Sequence, residues 1–307
     1  MTTFMIKWLF FMAPNARHLS SVNNLFPEKI RKNKRMFFVA LFTLVGLFTY
    51  RTLAYSTLPP IQFESDTPLN SLTDFSTHKQ TKLKKKAFIA LLNPIIREEN
   101  QHIATLRHQL IKLKETSSKS LPKSEKKWLE KLTAHYKVLS KNNINKPKVR
   151  KALIKRLLLK VDRVPASLVL AQAAIESGWG SSRFARKGNN LFGQWCFKAG
   201  CGIVPKQRVA GLKHEVHKFD SINQSIRAYL LNLNSFPAYK EFRQIREKMR
   251  QKKIAPSVFA LANGLTHYSS QGSQYVVKVK KVIRLNNLEQ YDRSDISLKK
   301  KMLKYAP

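Results

Sequence analysis

Apolar residues recur every three or four positions over much of the chain, which is the spacing of amphipathic helices. From Lys82 the repeat passes through Phe88 and Leu92, and a second stretch of the same repeat ends near Ser117. A proline inside a helix removes a hydrogen-bond donor and clashes with the preceding turn. Pro94 is therefore expected to interrupt this helical region and kink it.

The same periodicity predicts shorter helices farther along, and Ser124 is expected to cap the first of them. Residues 187–205 have the composition of loops and short strands, and GLKHEVHKF alternates between apolar and polar residues as a strand does. The predicted fold class is therefore α+β and mostly helical, with a small β-hairpin. The predicted helices cover 124–139, 145–160, 165–177, 221–233, 238–250, 255–263 and 275–283.

One apolar segment near the N-terminus differs from these helices. Residues 36–50 carry no charge and follow five basic residues within 29–35, a pattern that keeps the N-terminus in the cytoplasm and exports the rest of the chain. The segment is shorter than the roughly 20 residues of a spanning helix, so both a retained inner-membrane anchor and a cleaved signal are open. Either way, the remainder is expected in the cell envelope, facing or free in the periplasm.

These patterns predict six regions along the chain. They are a cytoplasmic or disordered extension (1–35), the signal or anchor segment (36–50), a linker rich in Ser, Thr and Pro (51–81), a basic helical subdomain (82–145), the main domain (146–290) and a basic tail (291–307).

The formal net charge of +39 indicates an anionic polymer as partner: nucleic acid, a membrane surface or an acidic glycan. No phosphate-binding loop, zinc-finger spacing or aromatic RNA-binding motif accompanies the charge. Export would also separate the chain from nucleic acid. A basic face near anionic lipid or glycan is therefore the favoured interpretation.

Cys196 and Cys201 are the two cysteines of the chain. In an exported protein, so close a pair predicts a small disulfide loop, whereas in the cytoplasm the two would be free thiols. His214 and His217 are the nearest candidates for a metal site, but their spacing matches no zinc signature. Neither a metal nor a cofactor is expected.

The stretch LAQAAIESGWG (170–180) places Glu176 in the last turn of a predicted helix. The helix dipole is negative at that end and disfavours an ionised carboxylate. Apolar neighbours remove water and act in the same direction, so the pKa of Glu176 is expected to be raised. A carboxyl group with a raised pKa can serve as a general acid near neutral pH, and Gly178 and Gly180 leave the approach open. A solvent-exposed glutamate at a frayed helix end is the alternative.

The longer stretch LVLAQAAIESGWGSSRFARKGNNLFGQWCF (168–197) resembles the core of family 73 of the glycoside hydrolases, the bacterial peptidoglycan N-acetylglucosaminidases that include the FlgJ hydrolase domain. The segments CFKAGCGIVPKQR, RLLLKVDRVP and AFIALLNPIIREEN are similar to a Bax-like subset of that family. The resemblance covers about 82–288. It implies a lysozyme-like fold, a groove for a glycan chain, and hydrolysis of the β-1,4 bond after N-acetylglucosamine.

The resemblance also implies roles for individual residues. Glu176 matches the family's catalytic acid, and Tyr268 matches a tyrosine that borders the scissile sugar. Asn190, Phe192 and Gly193 match its NNLFG segment, which implies contacts with the substrate; a turn at Asn190 and core packing of Phe192 are the alternatives. Besides these, the aromatic side chains of Trp179 and Trp195 are candidates for stacking on sugar rings or for core packing.

One departure from the family concerns the second carboxylate. Relatives carry a glutamate on the hairpin after this core, where this chain has Gln207. Three solutions stay open: Glu215 or, less directly, Asp220 on the other arm supplies the base; the substrate's N-acetyl group acts as nucleophile; or Glu176 works alone, as in lytic transglycosylases. A non-catalytic glycan-binding protein is a further alternative.

Overall fold

The computed structural model describes residues 58–75, 80–115, 120–138, 143–208, 211–255 and 257–292. From Pro59 onwards the described residues form one compact unit. The predictions for 1–35, for 36–50 and for nearly all of 291–307 fall outside these ranges. Within the ranges themselves, no helix is both long enough and apolar enough to cross a membrane.

Helices make up most of the described chain, as the apolar repeat predicts. They are α1 (Thr81–Glu115), α2 (Lys123–His135), α3 (Pro147–Lys160), α4 (Ala166–Ser177), α5 (Arg183–Gly188), α6 (Ile222–Ser235), α7 (Lys240–Gln251), α8 (Val258–Ala262) and α9 (Ser273–Leu285), with short 3-10 turns at Pro237–Tyr239 and Asn263–Leu265.

Two expectations about where helices break and begin are wrong. Pro94 does not interrupt α1, which runs through it as a single helix, and the kink there stays a prediction. The buried apolar face of α1 continues on both sides of the proline, so packing along the whole helix offsets the missing hydrogen bond. Helix α2 begins at Lys123 after Pro122 without a side-chain cap, so Ser124 is its second residue and not its N-cap.

Helix α4 is the centre of the unit. All of its residues from Ala166 to Ala174 are buried, which is typical of a helix enclosed on every side. It contacts α1, α8 and α9. Because α1 also contacts α3 and α6, the helices of the region 82–145 pack directly onto those of the main domain.

Part of the region predicted as a linker also packs onto this core. The backbone of Leu69 bonds to Ile222 (2.8 Å) and to the side chain of Asn223 (2.9 Å) at the start of α6. Farther along, Phe75 is 1% exposed and contacts Phe88 edge-on, with 5.7 Å between ring centroids. Residues 58–75 therefore form an N-terminal strap along the domain.

A buried ionic cluster joins helices α1 and α7 to the loop between α3 and α4. Asp162, between α3 and α4, pairs with Arg107 of α1 at 3.5 Å, with Arg246 of α7 at 3.7 Å, and with Arg250. Burial raises the pKa of Asp162, but the charges of Arg246, Arg250 and Arg107 outweigh it and hold the pKa below its usual value. Asp162 therefore stays ionised at the joint before α4.

The sheet consists of three short antiparallel strands in the order β1-β3-β2: β1 (Trp195–Cys196), β2 (Gly202–Ile203) and β3 (Glu215–His217). In the register, Cys196 lies opposite Glu215, and Ile203 opposite Val216. A Cβ atom on Gly202 would lie 2.1 Å from the carbonyl oxygen of Val216, so this pairing requires glycine. The α+β, mostly helical fold class and the strand in GLKHEVHKF are confirmed.

Candidate active site

The end of α4 turns away directly behind Glu176. Gly178, Trp179 and Gly180 follow one another with φ of 57°, 57° and 80°, a left-handed backbone that glycine adopts at little cost. The hydroxyl of Ser177 accepts from the N–H of Gly180 at 2.8 Å. This turn ends the helix and leaves Glu176 in its final turn, as the glycines predict.

The carboxyl group of Glu176 is partly buried and bound on one side. Its Oε1 accepts a hydrogen bond from the hydroxyl of Tyr275, on α9, at 2.7 Å. Burial raises the pKa of Glu176, while the Tyr275 hydrogen bond and the charge of Lys278 lower it in part. The net shift is upward, as the sequence predicts for this position.

Sequence reasoning missed the side chains behind Tyr275. Gln172 donates from Nε2 to the Tyr275 hydroxyl at 2.9 Å, and the hydroxyl of Tyr229 donates to Oε1 of Gln172. These four groups form a continuous chain of hydrogen bonds that ends on Glu176. Gln172 lies four residues before Glu176 and so shares its helix face, which is the one signal in the sequence that could have found it.

Tyr268 lies beside this chain. Its ring stacks on that of Tyr275, with centroids 5.3 Å apart and planes 9° apart. Its hydroxyl donates to the carbonyl oxygen of Phe192 at 3.2 Å, and the Phe192 ring stacks on Tyr229 at 4.0 Å. The structure thus brings Tyr268 and Phe192 together next to the partner of Glu176.

The side chain of Asn190 is engaged within the protein. Its Nδ2 donates to the carbonyls of Gln194 (2.8 Å) and His217 (2.9 Å), and its Oδ1 accepts from the backbone of Phe192 (3.3 Å) and Gln194 (3.0 Å). Asn190 therefore shapes the 190–194 turn and ties it to β3. Within that turn, Gly193 has φ of 66° and open space where a Cβ would be.

The two candidate tryptophans differ in their surroundings. The ring of Trp179 contacts Phe88 of α1 edge-on at 5.7 Å, and the ammonium of Lys85 lies 4.9 Å from its centroid. Trp195 on β1 is 59% exposed and stacks on His214 at 4.1 Å. Trp195 thus has an aromatic ring available at the surface, whereas Trp179 packs toward α1.

Glu215 lies at the start of β3 with its carboxylate turned to the neighbouring loop. Its Oε1 accepts from the N–H of Gly200 at 3.0 Å and its Oε2 from the N–H of Gly202 at 2.8 Å. These backbone hydrogen bonds lower the pKa of Glu215. Glu215 therefore holds the loop between β1 and β2 in place.

Cys196 and Cys201 close that same loop with a disulfide, as predicted for an exported chain. Together with His217 they are a group whose ligand atoms lie within 4.8 Å of one another. A disulfide sulfur is not a thiolate, and the thiolate is the metal ligand. With the disulfide formed, this group is not a metal site.

Comparison with known proteins identifies the family of this domain. A family model described as mannosyl-glycoprotein endo-beta-N-acetylglucosaminidase matches residues 153–288. Protein bax of Escherichia coli (strain K12) is 35% identical over 206 residues, which are 67% of this chain and 71% of that protein. The catalytic domain of the autolysin Auto from Listeria monocytogenes is 21% identical over 57% of this chain and 90% of that one, with a TM-score of 0.33.

The domain is a glycoside hydrolase of the glucosaminidase type. The chain belongs to family 73 of the glycoside hydrolases, as a Bax-like member.

Proposed function

We propose that the chain hydrolyses the β-1,4 bond after N-acetylglucosamine in peptidoglycan, with Glu176 as the general acid. The observation that carries the proposal is the state of the Glu176 carboxyl group. It is partly buried with a raised pKa, and Tyr275 binds Oε1. Among the described residues, none donates to Oε2, so that oxygen is available to a substrate.

The chemistry needs two proton transfers through the same carboxyl group. Protonated Glu176 gives its proton to the glycosidic oxygen as the bond from that oxygen to C1 breaks. The Glu176 carboxylate then takes a proton from the water that attacks C1. Glu176 must therefore hold a proton near neutral pH and still be able to ionise. A pKa that burial raises, and that the Tyr275 hydrogen bond lowers in part, meets both needs.

The nucleophile in this proposal is the substrate's own N-acetyl group. Its carbonyl oxygen attacks C1 as the leaving oxygen departs, and water later opens the resulting ring. One observation supports this choice over Glu215: both carboxylate oxygens of Glu215 already bind backbone N–H groups.

Aromatic side chains supply the proposed glycan groove. Trp195 offers an exposed ring on which a sugar can stack. Tyr268 lies beside Tyr275 in this groove, and the buried Phe192 packs behind it on Tyr229. The open space at Gly193 lets a sugar approach the backbone. Asn190 acts indirectly in this scheme, by holding the turn that carries Gly193.

We infer that the domain works in the cell envelope. A disulfide persists in oxidising compartments outside the cytoplasm, and Cys196–Cys201 is such a bond. Residues 36–50 would serve as the anchor or signal for export, and the basic surface would hold anionic envelope polymers.

Mass spectrometry of the products from purified peptidoglycan tests this function. New reducing ends on N-acetylglucosamine support it. Anhydro-muramic ends would assign the chain to the transglycosylase alternative, in which Glu176 acts alone. Binding without soluble products would assign it to the non-catalytic glycan-binding class.

A further inference from the structure

The hydrogen bonds behind Glu176 all run in one direction. An amide nitrogen donates and cannot accept, so Gln172 Nε2 uses the Tyr275 oxygen as an acceptor. A tyrosine hydroxyl has a single proton. The proton of Tyr275 is therefore directed to Oε1 of Glu176, and the acceptor end of the Gln172 amide is taken by Tyr229.

This direction determines where Glu176 can carry its own proton. In a protonated carboxyl group the carbonyl oxygen is the better acceptor, so the hydrogen bond from Tyr275 to Oε1 favours the proton on the other oxygen. The structure assigns Gln172 and Tyr275 as positioning residues that reserve Oε1 of Glu176 as an acceptor and place its acidic proton on Oε2, the oxygen that the proposed function leaves to the substrate. The assignment rests on the proposed role of Glu176 as general acid.

The chain of hydrogen bonds is held rigidly by three helices. Gln172 and Tyr229 are 0% exposed and Tyr275 is 2% exposed, so bulk water does not replace these partners. Gln172 belongs to α4, Tyr229 to α6 and Tyr275 to α9. If the Gln172 amide were turned around, its nitrogen would face the Tyr229 hydroxyl and its oxygen would face the Tyr275 hydroxyl. Tyr275 would then give its proton to Gln172, and Glu176 would lose its hydrogen-bond donor.

The two directions differ in their effect on Glu176. In the direction seen here, Tyr275 stabilises the carboxylate and lowers its pKa against the effect of burial. In the reversed direction, Glu176 would donate to Tyr275, and the hydrogen bond would stabilise the protonated form. Removing the Tyr275 hydroxyl therefore shifts the pKa of Glu176 upward in the first case and downward in the second.

The experiment measures the pKa of Glu176 in the full chain by carbon-13 NMR of labelled glutamate carboxyls, with Glu176→Gln identifying the signal. Tyr275→Phe is expected to raise the pKa by about one unit or more, the size expected for losing a hydrogen bond to a charged group. Gln172→Met is expected to raise it by less, because Tyr275 then keeps its bond to Glu176 but loses its orientation. Tyr239→Phe is the matched control. The Tyr239 ring lies 6.0 Å from that of Tyr268 and its hydroxyl is not part of this chain of hydrogen bonds, so the variant should leave the pKa of Glu176 in place.

The outcomes are separable from those of the proposed function. The pKa is read without substrate, so it decides the inference even if peptidoglycan is not cleaved. An unchanged or lowered pKa in Tyr275→Phe overturns the assignment. If that variant does not fold, an unchanged or lowered pKa in Gln172→Met overturns it instead. In an active enzyme, the alkaline limb of the kcat/KM profile should move upward by the same amount as the pKa, a shift that a merely structural role of Tyr275 would not produce.

Discussion

Phe75 lies against Gly180 so closely that a Cβ atom at residue 180 would come within 2.7 Å of Cδ2 of Phe75. Leu72 approaches the same point to 3.0 Å. Gly180 is the last of the three left-handed residues behind Glu176. The N-terminal strap, residues 58–75, therefore braces the turn that ends α4 behind Glu176, although it is about 100 residues away in sequence.

Gly180→Ala is expected to destabilise the fold by about 2–5 kcal/mol. This is the sum of the cost of alanine in a left-handed conformation and the cost of the overpacked contact with Phe75. Chemical denaturation measures the change. Gly211→Ala is the control, because Gly211 has φ of 84° but nothing within 4 Å of a Cβ, and it should cost only about 1–2 kcal/mol. In a Phe75→Ala background the Gly180→Ala penalty should shrink; equal penalties in both backgrounds would show that Phe75 does not press on this residue.

Glu215→Gln is expected to keep kcat within about tenfold of wild type while raising KM, because Glu215 positions the disulfide loop next to Trp195. Loss of a catalytic base would cost about 10²–10⁴ in rate instead, so a fall of that size would make Glu215 the second catalytic group. Steady-state kinetics on soluble peptidoglycan fragments distinguish the two.

The same variant has a pH signature in thermal melts. The pKa of Glu215 is lowered in the folded protein relative to 4.5, so its contribution to stability is fully present above pH 4.5 and is lost as the pH falls through the folded-state pKa. Wild type should therefore be more stable than Glu215→Gln at pH 7, and the difference should disappear in acid. A difference that does not depend on pH would show that the charge of Glu215 does not hold the loop.

Glu176→Gln is expected to stabilise the protein at neutral pH while it removes activity. The pKa of Glu176 is raised above 4.5 in the folded state, so ionisation costs stability as the pH rises beyond 4.5. A glutamine keeps the acceptor for Tyr275 and carries no charge. The melting temperature of the variant should be higher than that of wild type at pH 7 and equal to it below pH 4.5. A lower melting temperature of the variant at pH 7 would contradict the raised pKa.

Local patterns in the sequence predicted a good part of this fold and site. The glycines after Ser177 placed Glu176 at a helix end, and Ser221 caps α6 through the N–H of Gln224, at 3.2 Å. The predicted cap at Ser124 is absent because Pro122 already fixes the start of α2. The predicted helix break at Pro94 is absent because the apolar face of α1 continues past it into the core.

Features that depend on contacts between residues far apart in sequence could not be predicted from local patterns. Tyr275 meets Glu176 across 99 residues, and nothing near Tyr275 in the sequence sets it apart from a core tyrosine. The NNLFG motif pointed to Asn190 as a substrate contact, but its amide is fully used by the backbone around it. The packing of Trp179 depends on Phe88 and Lys85 of α1, about 90 residues before it in sequence.

The central claim is that Glu176 is the general acid of a glucosaminidase. Its most direct test is the rate at which wild type and Glu176→Gln release reducing-end N-acetylglucosamine from purified peptidoglycan, with the variant's fold checked by its melting curve. We predict that Glu176→Gln is slower by about 10²–10⁴. Equal rates from the two folded proteins would contradict the account.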